Sequence, residues 1–442
     1  MLLTVPTSLD ELAKYIQPFM ALAGEKRWIK RLDQLTTEQD ASYFGWKIVS
    51  DYHWLEMAVG FQAEVLAREG KLRPDLIDGL ITASLNFAAI TVEVHSRLSP
   101  KGQQVLEGRL RDALKAENGF APVYLEFDLA QRLMDLGHDV DFIDLEAKGQ
   151  FDLLFSRGAF AAEVECKSLS ADAGRQIHRK DFYRFMESIS PALTRHAALK
   201  QREVLIVTLD SRLSSNSAEQ RDLKRACETA LLAGAPATID GQGFQLLRRP
   251  LGNVLEVGTV DQKILYRNFK KEFGENIHVS GAAGEDFGWL LVMRSKREDD
   301  TSKPLLEAMR KAAGQFTSTR PAFIAIQEHG IEAADLMLPH IRRRMAILSN
   351  ALFGHYGASH VNASYVSGFG AIVLRDGLVG RPAFTVPNLE PKFPIQPTDA
   401  APFLTHLADQ VYADLIVAPL PALNISFLPV APLDGNPSSA DG

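Results

Sequence analysis

The stretch FDLLFSRGAFAAEVECKSL, Phe151–Leu169, decides how the chain is read. Two runs with strand character, FDLLF and AFAAEVECKSL, are separated by the turn composition SRG. Successive side chains of an extended strand face opposite sides, so Glu163, Glu165 and Lys167 share one face. If the two runs pair antiparallel, a connection of two or four residues brings Asp152 to that face as well. A two-residue turn at Arg157 and Gly158 sets Asp152 opposite Glu163; a four-residue loop ending at Phe160 sets it opposite Glu165, with Cβ atoms about 5 Å apart. Acids at that spacing repel unless a cation lies between them, and a hard, oxygen-liganded ion such as Mg²⁺ (or Mn²⁺) suits the position. Lys167, two positions further along, could then orient an attacking water or neutralise charge on a phosphate.

The pattern acid, any residue, lysine decides nothing alone, since it occurs six times, at Glu69, Glu146, Glu165, Asp222, Asp261 and Glu390. Only the Glu165 copy lies in a strand-like run, follows an apolar strand carrying its own acid, and precedes a basic helix. HDVDFID, His138–Asp144, reads as a further strand, which makes a three-stranded meander. Before it, Leu125, Leu129, Leu133 and Leu136 recur at helical spacing and stop at Gly137, with Glu126 beside the stripe. After it, a helix is expected from about Asp172 to Lys200. VLIVTL, Val204–Leu209, then suits a strand buried on both faces. Cys166 points away from the acids and reads as a core residue.

Helix with an acid, meander with Asp and then Glu-x-Lys, helix, strand: over about residues 120–212 this resembles the PD-(D/E)xK nuclease superfamily, the restriction endonuclease-like fold. Phe151 stands where the family carries its proline. The resemblance implies a metal-dependent hydrolysis of phosphodiesters, in DNA first of all, in a setting such as prokaryotic antiviral defence or restriction. It further implies that Asp152, Glu165 and the carbonyl of Cys166 hold Mg²⁺ and that Glu126 holds a second ion or a bound water. Lys167 would help to activate the nucleophile, and Gln176 and Lys180 match polar positions on the following helix. Arg175, Arg179, Lys180 and Arg184 would contact phosphates. From Arg175 to Arg202 seven basic residues face two acidic ones, a local excess inside a chain of net charge -7. A homo-oligomer or a partner protein is compatible with this reading.

The chain has 442 residues, 46% hydrophobic and 23% charged, enough for two or three domains. The expected division is a helical region over 1–117, a nuclease-like α/β domain with a mixed sheet flanked by helices over 118–240, a C-terminal α/β region of unassigned role over 241–430, and a disordered tail over 431–442. Within the first region, helices are expected at Tyr52–Arg68, at Pro74–His95, and after Ser99 as cap with Pro100 in the first turn. VMRSKR before a helix containing Gln315 echoes VECKSL before a helix containing Gln176, though strand then helix is the commonest unit of any α/β chain. Asp10 and Glu11 near the start argue against an export signal, and Asp414 with four prolines interrupts the apolar stretch Tyr412–Leu433, so no membrane span is expected. Two cysteines suit a cytoplasmic protein without a disulfide framework. Two alternatives stand beside the nuclease: a nucleic-acid-binding or assembly module of the same fold with vestigial acids, and a different α/β enzyme with its site in the C-terminal half.

Overall fold

In a computed structural model, the central meander forms as β1 (Asp139–Phe142), β2 (Leu153–Arg157) and β3 (Phe160–Leu169), each antiparallel to the next. The turn between β2 and β3 is Gly158–Ala159, with Gly158 at φ 60°, a left-handed conformation that glycine adopts without a Cβ clash. Pairing runs Arg157↔Phe160 to Leu153↔Val164. One step further, Asp152 falls across from Glu165, the alignment expected of the longer loop but reached with a two-residue turn. The described residues are 8–77, 79–170, 172–197, 202–232, 237–251, 269, 271–274, 276–283, 288–332, 336, 339–369, 372–373, 379–380, 383–396 and 425–427. The expected disordered tail and the interrupted apolar stretch lie outside them, apart from a short strand at Ile425–Phe427. No helix among them is long and apolar enough to cross a membrane.

These residues divide into two compact units, one drawn from Met1–Ala41, Trp46–Gly174 and Thr301–Leu420, the other from Ser42–Gly45, Arg175–Asp300 and Pro421–Gly442. The units do not follow the linear boundaries at 117 and 240. In the first unit a mixed sheet runs β1, β2, β3, Ala322–Glu332, Val361–Phe369, Ala383–Pro387, with β3 parallel to Ala322–Glu332 and that strand parallel to Val361–Phe369. Alternation along the strands gives the sheet two apolar faces. Val164, Cys166, Phe323, Ala325 and Tyr365 join one core with Phe19, Trp28, Phe87, Phe120 and Phe127 of the N-terminal helices. The described residues of 9–41 and 46–113 therefore form a layer of this unit and share its core, held partly by edge-to-face and stacked ring pairs such as Phe19–Trp28 and Trp28–Phe120. On the other face Ile324, Ile326 and Val366 pack with Leu305, Met309, Ala312 and Met345, from the helices Ser302–Gln315 and Pro339–Asn350. The Pro74 segment is a short 3-10 turn, and its helix begins at Gly79. The Ser99 cap forms as expected: its Oγ accepts from the Gly102 amide at 3.1 Å.

The Ala121–Asp135 helix buries Leu125, Leu129 and Leu133, whereas Leu136 lies past its end and is 48% exposed. The element covering the carboxylate side of β3 is the Ser302–Gln315 helix; the chain leaves the unit after Gly174 (φ 79°) and resumes it at Thr301. This corrects the expectation that the helix next in sequence completes the fold. Arg179–Ala197 belongs to the second unit, as does Arg202–Leu209, which pairs parallel with Gly288–Ser295 and antiparallel with Phe244–Pro250. Val204, Ile206, Leu290, Val292 and Phe273 form a core of that unit. In both halves of the echo the strand and the helix that follows it lie in different units: β3 in the first and Arg179–Ala197 in the second, Gly288–Ser295 in the second and Ser302–Gln315 in the first.

Glu163 has a structural task. It is fully buried, its carboxylate accepts from the Thr317 amide at 2.8 Å and from the Thr317 hydroxyl, and Arg320 Nε lies 3.2 Å away. Its own amide donates to the Pro321 carbonyl at 3.0 Å. Glu163 thus fixes the loop that joins the covering helix to its strand. Truncating a buried, hydrogen-bonded charge strands its partners, so Glu163→Ala should lower unfolding free energy by about 3 kcal/mol. Urea unfolding measures it, and a loss below about 0.5 kcal/mol, the range of surface substitutions, would rule the anchor out.

Candidate metal centre

Four carboxylates meet at one end of the meander, each placed by a different local rule. Glu126 comes from the amphipathic Ala121–Asp135 helix, on the flank of its buried stripe. Asp144 follows β1 and turns its Oδ1 onto the Leu145 amide at 2.7 Å, the local bond that aspartate favours at a turn. Asp152 precedes β2 and accepts from the Cys166 amide through Oδ2 at 2.6 Å. Glu165 lies on β3. One oxygen from each of Glu126, Asp144 and Asp152 can be chosen so that all three lie within 4.8 Å of one another. Glu165 stands beside this triad with Oε1 ion-paired to Lys167 Nζ; its Oε2 is buried and accepts no hydrogen bond among the described residues.

Two cations answer these charges. Arg109, on the Pro100–Ala113 helix, donates to Glu126 Oε2 at 3.0 Å and to Asp144 Oδ2. Lys167 donates to Glu165 and, at 2.9 Å, to the amide oxygen of Gln315. Gln315 in turn donates through Nε2 to the Gln150 carbonyl at 2.7 Å. The last turn of the covering helix is thereby tied to the loop carrying Asp152, with the lysine held between. The Pro100–Ala113 helix is fixed by a similar device: Glu146, from one of the uninformative acid-x-Lys copies, accepts from both the amide and the hydroxyl of Ser99 at 2.8 and 2.7 Å.

Burial raises the proton affinity of Glu126, Asp152 and Glu165. The Glu126 carboxyl is pushed up to about 8, chiefly by desolvation, against the pull of Arg109 and with help from the charges on Asp144 and Glu165. Desolvation also drives Asp152 well above the usual carboxylate range, reinforced by Glu126 and Glu165 and opposed by the Cys166 amide. Glu165 is raised by the same burial, opposed by Lys167. The Cys166 thiol is pushed up by burial in the opposite core and stays a protonated core group.

Of the residues singled out from sequence, the structure brings together Glu126, Asp152, Glu165 and Lys167. The second unit holds Arg175, Gln176, Arg179, Lys180 and Arg184. Gln176 is engaged there, its amide donating to Asp299 at 2.8 Å and its side chain to the Glu298 carbonyl at 3.4 Å, and Arg175 lies 3.8 Å from Asp299. Arg179 is 7% exposed, Arg175 and Lys180 are half-buried, and Arg184 is the exposed one of these four. Sequence reasoning missed Asp144, Arg109 and Gln315. Asp144 closes a segment already read as a strand, so it could have been found; Arg109 carried no signal. No family model, curated protein or solved structure matches the chain.

The donor set suits a hard divalent cation: all-oxygen ligands, convergent, with one buried carboxylate oxygen left without a donor. Protons compete for the same oxygens. A folded Glu126 holds its proton to about pH 8, whereas the unfolded residue releases it near its ordinary 4.5. The metal-free fold therefore has its full contribution from this group below about 4.5 and loses it as pH rises through about 8. In chelator, the melting temperature should fall between pH 5 and pH 8. Added Mn²⁺ should restore it, by more at pH 8 than at pH 6. A chelated protein that gains stability over that interval would exclude the buried cluster as drawn.

Proposed function

We propose that the chain is a metal-dependent nuclease hydrolysing phosphodiester bonds, with DNA as the first substrate to test. The observation that carries this reading is the unpartnered, buried Glu165 Oε2 beside Asp152 and the Glu126–Asp144–Asp152 triad, on the face that also presents Lys167. The order helix, meander, helix, strand that the family resemblance implies also occurs within one unit, assembled from residues 121–169 and 302–332 rather than from a continuous segment. In this assembly Gln315 takes the polar position for which the sequence offered Gln176.

Asp152 and Glu165 would hold Mg²⁺ or Mn²⁺, next to the pair Glu126 and Asp144 that Arg109 bridges. When bound, such an ion supplies the positive charge that polarises a phosphate and acidifies water. The chain's own residues do the rest. Asp152 is oriented by the Cys166 amide, which keeps one oxygen committed and leaves the other available. The Lys167 ammonium, steered by Gln315, can hold a water by hydrogen bonding or place its charge beside a non-bridging phosphate oxygen. Gln315 acts through Lys167 and is a positioning residue. The basic positions of the second unit, Arg184 foremost, would supply sequence-independent phosphate contacts that weaken with salt.

The alternative, a binding or assembly module with structural acids, is favoured by one observation: Arg109 already pairs with Glu126 and Asp144. Incubation of the full chain with linear DNA, circular DNA and RNA, with Mg²⁺ or Mn²⁺ and with chelator, separates the two. Cutting should require metal and should fall by at least about 10²-fold in both Asp152→Asn and Lys167→Ala. Gln315→Ala should slow it by a smaller factor, on the order of tenfold, as expected for lost orientation. Undiminished cutting by Asp152→Asn would eliminate this centre; binding with no cutting under any metal would leave the module.

A further inference from the structure

Arg109 divides the centre into two halves. Its guanidinium forks onto Glu126 Oε2 at 3.0 Å and onto Asp144 Oδ2, so the two carboxylates of that half share one cation. The other half is different in kind. Asp152 is held by an amide, and Glu165 has one oxygen on Lys167 and one with no donor.

We propose that Arg109 is the resident cation of the Glu126–Asp144 half, so that the protein takes one divalent ion, at the Asp152–Glu165 half, and not two. The inference rests on the metal-centre reading above and fixes its stoichiometry. Charge balance argues for it. When an ion displaces the protons that the metal-free site holds, Glu126, Asp144, Asp152 and Glu165 carry four negative charges against Arg109 and Lys167, which leaves two, the complement of one divalent ion. A second ion beside both side-chain cations would leave the buried site with two excess positive charges, and an uncompensated buried charge is strongly unfavourable. Arginine cannot give up its proton to relieve the excess. Nor is the side chain placed by accident: the Ser99 cap and the Ser99–Glu146 bonds anchor the N-terminus of the helix that carries Arg109.

Calorimetric titration of the metal-free full chain with Mn²⁺ counts the ions directly, and electron paramagnetic resonance of the loaded protein tells an isolated ion from a coupled pair. The wild-type chain should bind one ion per chain with an uncoupled spectrum. Arg109→Gln keeps hydrogen-bond donors for the two carboxylates but removes the charge, and should bind two, with coupling between them. Glu126→Gln should leave the count at one. Two ions in the wild type, one in Arg109→Gln, or loss of the single ion in Glu126→Gln would each overturn the role given to Arg109 while leaving a metal centre in place. No ion bound by any of the three would remove the metal-centre reading itself, and this inference with it. If Arg109→Gln does not fold, the wild-type and Glu126→Gln counts still decide.

Discussion

Parallel pairing of β3 with Ala322–Glu332 is the constraint on which the rest of the first unit depends. Parallel neighbours need a crossover, and here the covering element is the Ser302–Gln315 helix, laid over the side of β3 that carries Glu163, Glu165 and Lys167. Once that helix covers the strand, three polar side chains in alternation cannot all face water. Each finds a separate answer. Glu163 is absorbed into the loop that returns the chain to the sheet, Lys167 reaches the last turn of the helix through Gln315, and Glu165 keeps one oxygen without a donor. A motif that looks uniform along the strand becomes structural at one position and, in the function proposed, chemical at the next two.

The carboxylates are confined by elements whose own stability has little to do with them. Glu126 rides on a helix fixed by Phe127, Leu129 and Leu133 in the core, and Asp152 on the end of a hairpin fixed by its glycine turn. Desolvating Glu126, Asp152 and Glu165 is unfavourable, and their raised proton affinities express that cost. Arg109 and Lys167 offset part of it from two opposite sides. Stability set aside at one end of a sheet in this way is what a functional site asks of its scaffold.

Much of this was legible in the sequence, and what escaped did so for physical reasons. The meander, the shared face of Glu165 and Lys167, the Ser99 cap and the stripe to Leu133 are local patterns, set by strand alternation, helical periodicity and capping chemistry. That the helix containing Gln315 covers β3 was not legible, because the chain inserts residues 175–300 between β3 and its crossover, and proximity in sequence then misleads. For the same reason Gln176 was matched to the polar position on the following helix, whereas the amide that Lys167 meets is that of Gln315. Arg109 sits on a helix that also carries Lys101, Glu107, Arg111 and Asp112, and nothing distinguishes it until the third dimension brings Glu126 and Asp144 to it. Leu136 extended the stripe by one residue too many, since periodicity does not register where a helix ends.

The insertion has a kinetic side. The cost of closing a loop grows only with the logarithm of its length, each doubling adding about 0.6 kcal/mol, so interrupting the first unit between Gly174 and Thr301 takes little from its equilibrium stability. Rate is another matter. β3 must remain an exposed sheet edge until the chain has emerged through residue 322 and beyond, because only then can its parallel neighbour pair with it. Until that moment the apolar side of β3, Val164 and Cys166, has only the helical layer and β2 to cover it. The polar residues on its other side, Glu163, Glu165 and Lys167, act in the interval as charged gatekeepers that discourage pairing with the wrong strand.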